Sequence, residues 1–407
     1  MHGKLSILSI LSFFLTLSLL FPFSLAAPPF QAEEAKIKVE QRILVKFRGK
    51  SAVLRAYIPQ EDEFQHRIAL SASLPFRIER DENGNELAVF NLSQQTGEVE
   101  ITSVLLVKRR HSFPSEKRMF SDFFLENTSL LSQFNASKEF EKIGRVAKWV
   151  CENIEYDESY AKISLSPEEV LHVKRGTCDE FAKLFIALLQ PLGLGASYEA
   201  GYAYDGERFL PHAWVRIYGK EVRDLDVAWC EMPVDALHVK FASLSTGEFR
   251  NLQLEIKGEN PEIIALEERD EFEIISANYS SPVEMLLKAT ETKGGKIRGK
   301  LEAKSGDCVV GKFRLSMCLN ERGEEIYTTE DFPFVAYFCG EYKKNFSLKV
   351  EKPGYTCEIF AYSDFGASEG MRIGKGKTEF PEKFLSWMGK WVEKIIEMLR
   401  EFLSFLI

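Results

Sequence analysis

The hydrophobic period of this chain changes twice, and that change limits its architecture more than any other feature. Residues 38–110 read as strands, with no long helical period and with β-rich runs such as Ile43-Leu44-Val45 and the stretch 99–107. Within 77–90, Asn83-Gly84 supplies the positive φ that a hairpin turn requires. Residues 111–137 are polar and read as a linker. From Lys138 the step becomes three and four: Phe140, Ile143, Val146, Ala147 and Val150 share one helical face. A second helix is predicted from Pro167, with Ser166 as its N-cap and Glu169 at the third helical position. A third is predicted over 178–192, with Phe181, Leu184, Phe185, Leu188 and Leu189 as its apolar stripe. Strands return at 196–204, 212–218 and 222–227, and the text stays strand-like over 250–377. Helices followed by antiparallel strands make an α+β core. The expected order is an N-terminal β-domain (36–135), that core (136–245), a C-terminal β-sandwich-like domain (250–378) and a final amphipathic helix (381–407). A chain of 407 residues suits two or three such units.

The amino terminus carries an address. Lys4 precedes an almost wholly apolar run, 5–25, and small Ala26-Ala27 stand before Pro28-Pro29. This predicts a signal peptide over 1–27; the alternative is an uncleaved membrane anchor. Either way the rest is secreted or membrane-attached, and the sequons at Asn91, Asn127, Asn135, Asn278 and Asn345 become glycosylation acceptors. In 381–407, Phe384, Met388, Trp391, Ile395, Leu399, Phe402 and Leu406 lie on one helical face, interrupted by charges of both signs. That pattern cannot span a bilayer. It could lie on a membrane surface, but the mixed charge favours packing on the β-domain or a second subunit.

Net charge is −9 with no basic stripe, which argues against a nucleic-acid partner. Seven cysteines leave at least one thiol unpaired within the chain. Cys308, Cys318, Cys339 and Cys357 would supply one or two disulfides of the C-terminal domain. Pairing Cys151 with Cys230 is one arrangement that leaves Cys178 free. There is no Cys-x-x-Cys, His-x-x-x-His or calcium-type Asp loop, so neither a metal nor a cofactor is expected. His172 and His238 read as surface or locally bonded residues, and His66 and His111 belong to the β-domain and its linker. Trp214 and Trp229 read as core and cleft-wall aromatics.

The chemistry concentrates in three stretches. Arg175-Gly176-Thr177-Cys178-Asp179-Glu180 places a cysteine where a loop becomes a helix. The unpaired N–H groups and the dipole at such a terminus favour thiolate over thiol, and the thiolate is the form that attacks a carbonyl. Pro211-His212-Ala213-Trp214 starts a strand, and Arg223-Asp224-Leu225-Asp226 lies on the next, after a reversal at Gly219-Lys220. A histidine and a carboxylate on antiparallel neighbours meet directly or diagonally. The acid would then hold the ring so that its other nitrogen faces Cys178.

These stretches resemble the transglutaminase-like superfamily, which shares the papain-like cysteine protease core, and its prokaryotic secreted members in particular. The resemblance rests on Gly176-Thr177-Cys178, Phe181-Ala182, the leucines of 184–189, Gly193, Gly201-Tyr202, His212-Ala213-Trp214-Val215 and Asp226, and covers about 138–239. It implies Cys178 as nucleophile, His212 as general base and acid, and Asp226 as the orienting carboxylate. Asp226-Val227-Ala228 departs from the family's Asp-Pro-Thr, and Asp224 shares strand parity with Asp226, so Asp224 is the alternative orienting acid. The resemblance further implies a thiol enzyme acting on amide bonds of a protein or peptide substrate through an acyl-thioester. The acceptor would be water, as in a peptidase or amidase, or an amine, as in a cross-linking transamidase. Cleavage of a glycan–asparagine amide is a third outcome. A non-catalytic cell-surface binding scaffold is the rival class.

Overall fold

The computed structural model describes residues 31–373, apart from 94–95, 116–119, 124, 126–127, 246–248, 293–295, 322–323, 350–355, 364 and 368–370. The expected leader (1–27) and final helix (381–407) lie outside the described residues.

The first six strands are β1 (Gln31–Arg48), β2 (Ser51–Tyr57), β3 (Gln65–Ala72), β4 (Arg77–Arg80), β5 (Glu86–Leu92) and β6 (Thr96–Lys108). Alternation along β1 buries Ile37, Val39, Gln41, Ile43, Val45 and Phe47 while the residues between them stay more exposed, which is the signature of a half-buried strand. The β4–β5 hairpin turns at Gly84, whose φ is +85°, and Asp81 Oδ1 accepts from the Asn83 and Asn85 N–H groups to close the turn.

Next comes the helical island. Helix α1 (Glu139–Asn153) buries Ile143, Val146, Ala147 and Val150, the predicted face. Two-residue strand β7 (Glu155–Tyr156) follows it. In α2 (Pro167–Val173), Ser166 Oγ accepts from the Glu169 N–H, and the Glu169 carboxylate accepts from the Ser166 N–H, at 3.3 and 2.8 Å. Then β8 (Arg175–Gly176) pairs in parallel with β7 and leads into α3 (Cys178–Leu189). From Glu180 to Leu189 every residue of α3 is buried. It therefore runs through the middle of the core rather than along its surface.

Strands β9 (Gly195–Tyr204), β10 (Phe209–Tyr218), β11 (Val222–Leu225) and β12 (His238–Leu244) form an antiparallel sheet in the order β11-β10-β9-β12. Ala213, Val215 and Ile217 join the cluster that includes Leu184, Phe185 and Leu188 of α3. Gly201 is needed where β12 bulges between Lys240 and Ala242, since a Cβ there would sit 2.0 Å from the Val239 carbonyl oxygen.

The chain then goes back to where it began. Strands β13 (Leu252–Lys257) and β14 (Glu262–Ser280) fall in the region assigned from sequence to the C-terminal β-domain. They pair instead with β2 and β1, giving two four-stranded sheets ordered β14-β1-β6-β3 and β13-β2-β5-β4. The amino-terminal β-body thus takes strands from both sides of the core. The remaining strands, beginning with β15 (Glu284–Thr292), β16 (Lys296–Glu321), β17 (Glu324–Lys349) and β18 (Thr356–Ser363), form one connected six-stranded sheet rather than two separate ones. Cys308 and Cys339 are disulfide-bonded across its long hairpin. That sheet docks on the core through α1, where Phe140 meets Tyr337 edge-on, and through a two-way backbone bridge between Met232 and Val310.

Candidate active site

Cys178 is the first residue of α3, free and partly exposed. The approach to it is rigid. Glu180, 1% exposed, turns back on the loop, and its Oε2 accepts from both the N–H and the hydroxyl of Thr177, at 2.8 and 2.7 Å. Its other oxygen accepts from the Leu165 N–H at 3.4 Å. Gly176 makes room for this: a Cβ there would lie 2.4 Å from the Glu180 Cβ. The β7–β8 pairing also brings Tyr156 opposite Gly176, and its ring meets Phe181 at 6.2 Å.

His212 comes from β10 and is buried. Its Nε2 lies 2.7 Å from Asp226 Oδ2. The register places Val215 opposite Leu225, so Asp226 stands across from Trp214 and reaches His212 on the diagonal. With Nε2 engaged by the acid, Nδ1 is the nitrogen left for the Cys178 thiol, a side-chain hydrogen-bond partner of this ring. Burial pulls the His212 imidazolium down, but the Asp226 carboxylate and the Cys178 sulfur beside it prevail and push it up to about 10. Burial would likewise raise Asp226, yet the two histidines facing it hold the carboxyl below its usual range.

The turn after β11 fixes Asp226 itself. Asp226 and Glu231 exchange backbone hydrogen bonds at 3.0 and 2.8 Å, and the Trp229 N–H donates to Asp226 Oδ1 at 3.0 Å. Trp229 lays its ring on His212, with centroids 4.6 Å apart and planes 30° apart. Cys230, the next residue, is disulfide-bonded to Cys151 of α1, which ties this turn to the helix. Cys178 is thereby left as the free thiol among the cysteines whose state is described.

Asp224 points to different chemistry. Arg216 Nε and one terminal nitrogen donate to its two oxygens at 2.7 and 2.9 Å. The same arginine reaches Asp62, which also receives Lys240 at 2.6 Å and Arg110 at 3.1 Å. This buried network joins the β2–β3 connection to the core sheet, and it engages Asp224 away from His212.

His238 was expected at the surface or in a local bond, and the structure corrects half of that. It is 1% exposed, and one ring nitrogen is locally bonded, 2.9 Å from Asp235 Oδ1. The other, Nε2, lies 3.3 Å from Asp226 Oδ2. The local text, Ala236-Leu237-His238-Val239, carried one usable signal: a histidine within an apolar strand has to find buried polar partners. His172 is exposed.

Among the described residues no helix is long and apolar enough to cross a membrane. Two disulfides fit a location outside the reducing cytoplasm.

Known proteins resemble part of this chain. Residues 128–234 match the family model of the transglutaminase-like superfamily. Kyphoscoliosis peptidase of Mus musculus is 23% identical over 231 residues, half of this chain and 34% of that protein. Its Homo sapiens counterpart is 27% identical over 124 residues, 27% of this chain and 18% of that protein. The chain therefore spans about a third or less of the length of these relatives. Among solved structures, a candidate cysteine protease from Cytophaga hutchinsonii aligns at 16% identity and a TM-score of 0.42, covering 62% of this chain and 94% of that one. Red sea bream transglutaminase aligns at 9% and 0.20, covering 82% and 78%.

Proposed function

We propose that the transglutaminase-like segment of this chain is a thiol enzyme acting on amide bonds, with Cys178 as nucleophile, His212 as general acid and base, and Asp226 as the acid that orients the ring. One observation carries the reading: His212, whose ring stands 2.7 Å from a fully buried carboxylate, has the free cysteine at the head of α3 as its other side-chain neighbour. Cys178 Sγ attacks the amide carbon and forms a tetrahedral oxyanion, which the Cys178 backbone N–H at the helix terminus is placed to receive. The C–N bond breaks as the imidazolium of His212 gives its proton to the leaving amine. A thioester remains. Water then adds to it, His212 takes the water's proton, and the thiolate departs from the acid product. Asp226 stays ionised throughout and stabilises the imidazolium.

Hydrolysis is the preferred outcome, so the substrate is a protein or peptide and the activity that of a peptidase or amidase. The superfamily likeness supports that choice; an amine acceptor would make the same intermediate a cross-linking one. The disulfides and the apolar leader support work outside the cytoplasm.

The test supplies a glutamine-containing peptide and an unfolded protein, each with and without a primary amine, to the full chain and to Cys178→Ala. Mass spectrometry should find acid products or cleaved peptides that vanish in the variant. Amine incorporation exceeding free acid would replace hydrolysis by transfer. Turnover that survives Cys178→Ala would remove the reading altogether.

A further inference from the structure

His238 has no part in the steps above, yet it touches the group that controls them. It opens β12, and its Nε2 approaches the same Asp226 oxygen that His212 reaches: 3.3 Å for His238, 2.7 Å for His212. Its Nδ1 faces Asp235 Oδ1 at 2.9 Å. A ring nitrogen facing a carboxylate oxygen needs a proton to bond it, so with acids at both ends both nitrogens carry one and the ring is a cation. Its position is closely defined: edge-on to Trp214 at 5.5 Å, to Trp229 at 5.3 Å and to His212 at 5.8 Å between ring centroids.

The titratable groups around it are Asp226 and His212 on one side and Asp235 and Glu231 on the other, the Glu231 carboxyl pushed well above its usual range by burial and by Asp235, with Arg109 beyond Asp235. Burial pulls the His238 imidazolium down, but its bonds to Asp226 and Asp235 outweigh that and push it up to about 9. The donor atoms of His212, Asp226 and His238 all fall within 4.8 Å of one another. The 2.7 Å contact is nevertheless a direct hydrogen bond. Two ligands of one tetrahedral ion would stand about 3.3 Å apart. The cluster is a chain of shared protons.

We propose that His238 is a positioning residue that sets the proton affinity of His212 through Asp226, fixing the carboxylate by donating to its Oδ2 and opposing, as a cation, the charge that holds the His212 proton. This rests on the thiol-enzyme reading, in which His212 must release that proton to the leaving amine. An Asp226 carboxylate shared with nothing else would grip the imidazolium too firmly to give it up. A second cation 5.8 Å away loosens the grip, and the second hydrogen bond keeps the acid in line.

Three variants of the full chain separate these effects. His238→Gln keeps an N–H donor and loses the charge. His238→Ala loses both. Asp235→Asn leaves His238 in place but removes the acid that sustains its charge. Two readouts apply: NMR titration of the His212 ring in histidine-labelled protein, and the rate of Cys178 alkylation by iodoacetamide as a function of pH, with the site located by mass spectrometry. The His212 midpoint should rise by about one to two pH units in His238→Gln and move the same way, by less, in Asp235→Asn. Alkylation should keep its wild-type maximum in the Gln variant and lose it in the Ala variant. If His238→Gln fails the circular-dichroism check for folding, Asp235→Asn decides. A fast Cys178 with a His212 midpoint unmoved in the folded variants overturns the proposal alone. A wild-type Cys178 no faster than a free-thiol peptide overturns the enzyme reading and this role with it.

Discussion

Removing the Cys151–Cys230 disulfide should disturb the site before it disturbs the rest of the protein. The bridge closes a loop between cysteines 79 residues apart in sequence. The chain-entropy relation for such a loop gives about 4.5 kcal/mol at 25 °C. Losses on deleting native bridges are commonly smaller, so roughly 2–4 kcal/mol is the expected cost. For units of this size that corresponds to a melting temperature lower by about 5–10 °C. The local effect is sharper. Cys230 ends the turn that carries Asp226 and stacks Trp229 on His212, and α1 is its anchor. The suitable perturbation is Cys151→Ser with Cys230→Ser, because a single change frees a new thiol that competes for the alkylating reagent. A chemical reductant would confuse the measurement in another way, since it alters every thiol at once. Calorimetry gives the melting temperature, and iodoacetamide labelling at pH 6 gives the Cys178 rate. Both should fall. A double variant that melts within about 1 °C of the wild type, with an unaltered Cys178 rate, would mean that the Asp226–Glu231 backbone bonds hold the turn unaided, and the reasoning would fail.

Other perturbations reach the same region from different sides. His212 and His238 are held at about 10 and about 9, above the ordinary 6.5, so their protonation stabilises the folded state fully below pH 6.5. Stability should therefore fall as pH rises from 7 towards 10, and Asp226→Asn should flatten that decline; equal slopes in urea titrations of the two proteins would contradict it. Gly176→Ala must displace the Glu180 side chain, at a cost of about 1–3 kcal/mol, and should slow Cys178 alkylation; a variant of wild-type stability and rate would show that the loop yields freely. Asp62→Ala leaves Arg216, Lys240 and Arg110 short of a buried anion and should cost roughly 3–5 kcal/mol, read as a lower urea midpoint; an unchanged midpoint would show that Asp224, together with buried Glu199 at 3.7 Å from Lys240, suffices.

How much of this was legible beforehand depended on how local each cause is. The face of α1 follows from a repeat within 15 residues, and the start of α2 from Ser166 and Glu169, three positions apart. The approach of His212 to Asp226 was readable because one strand and the turn after its hairpin neighbour bring them together within a short stretch of chain. The local bond of His238 was within reach of the sequence, but its second partner was not, because nothing near it announces Asp226, which lies on the turn after β11. Asp62 approaches Arg216 from 154 residues away, and no pattern along the β2–β3 connection or β10 encodes that distance. The return of β13 and β14 to the first sheets was equally hidden. Alternating strands specify which face is buried, not which of several edges they will join.

That return has a mechanical consequence. Because β1 and β6 precede the core and β13 and β14 follow it, both ends of the core segment are moored in the same body. A protease that nicks one of the two connections would leave the core still tethered by the other, and a force applied to the termini would strain the β-ladders before it separated α3 from the sheet behind it.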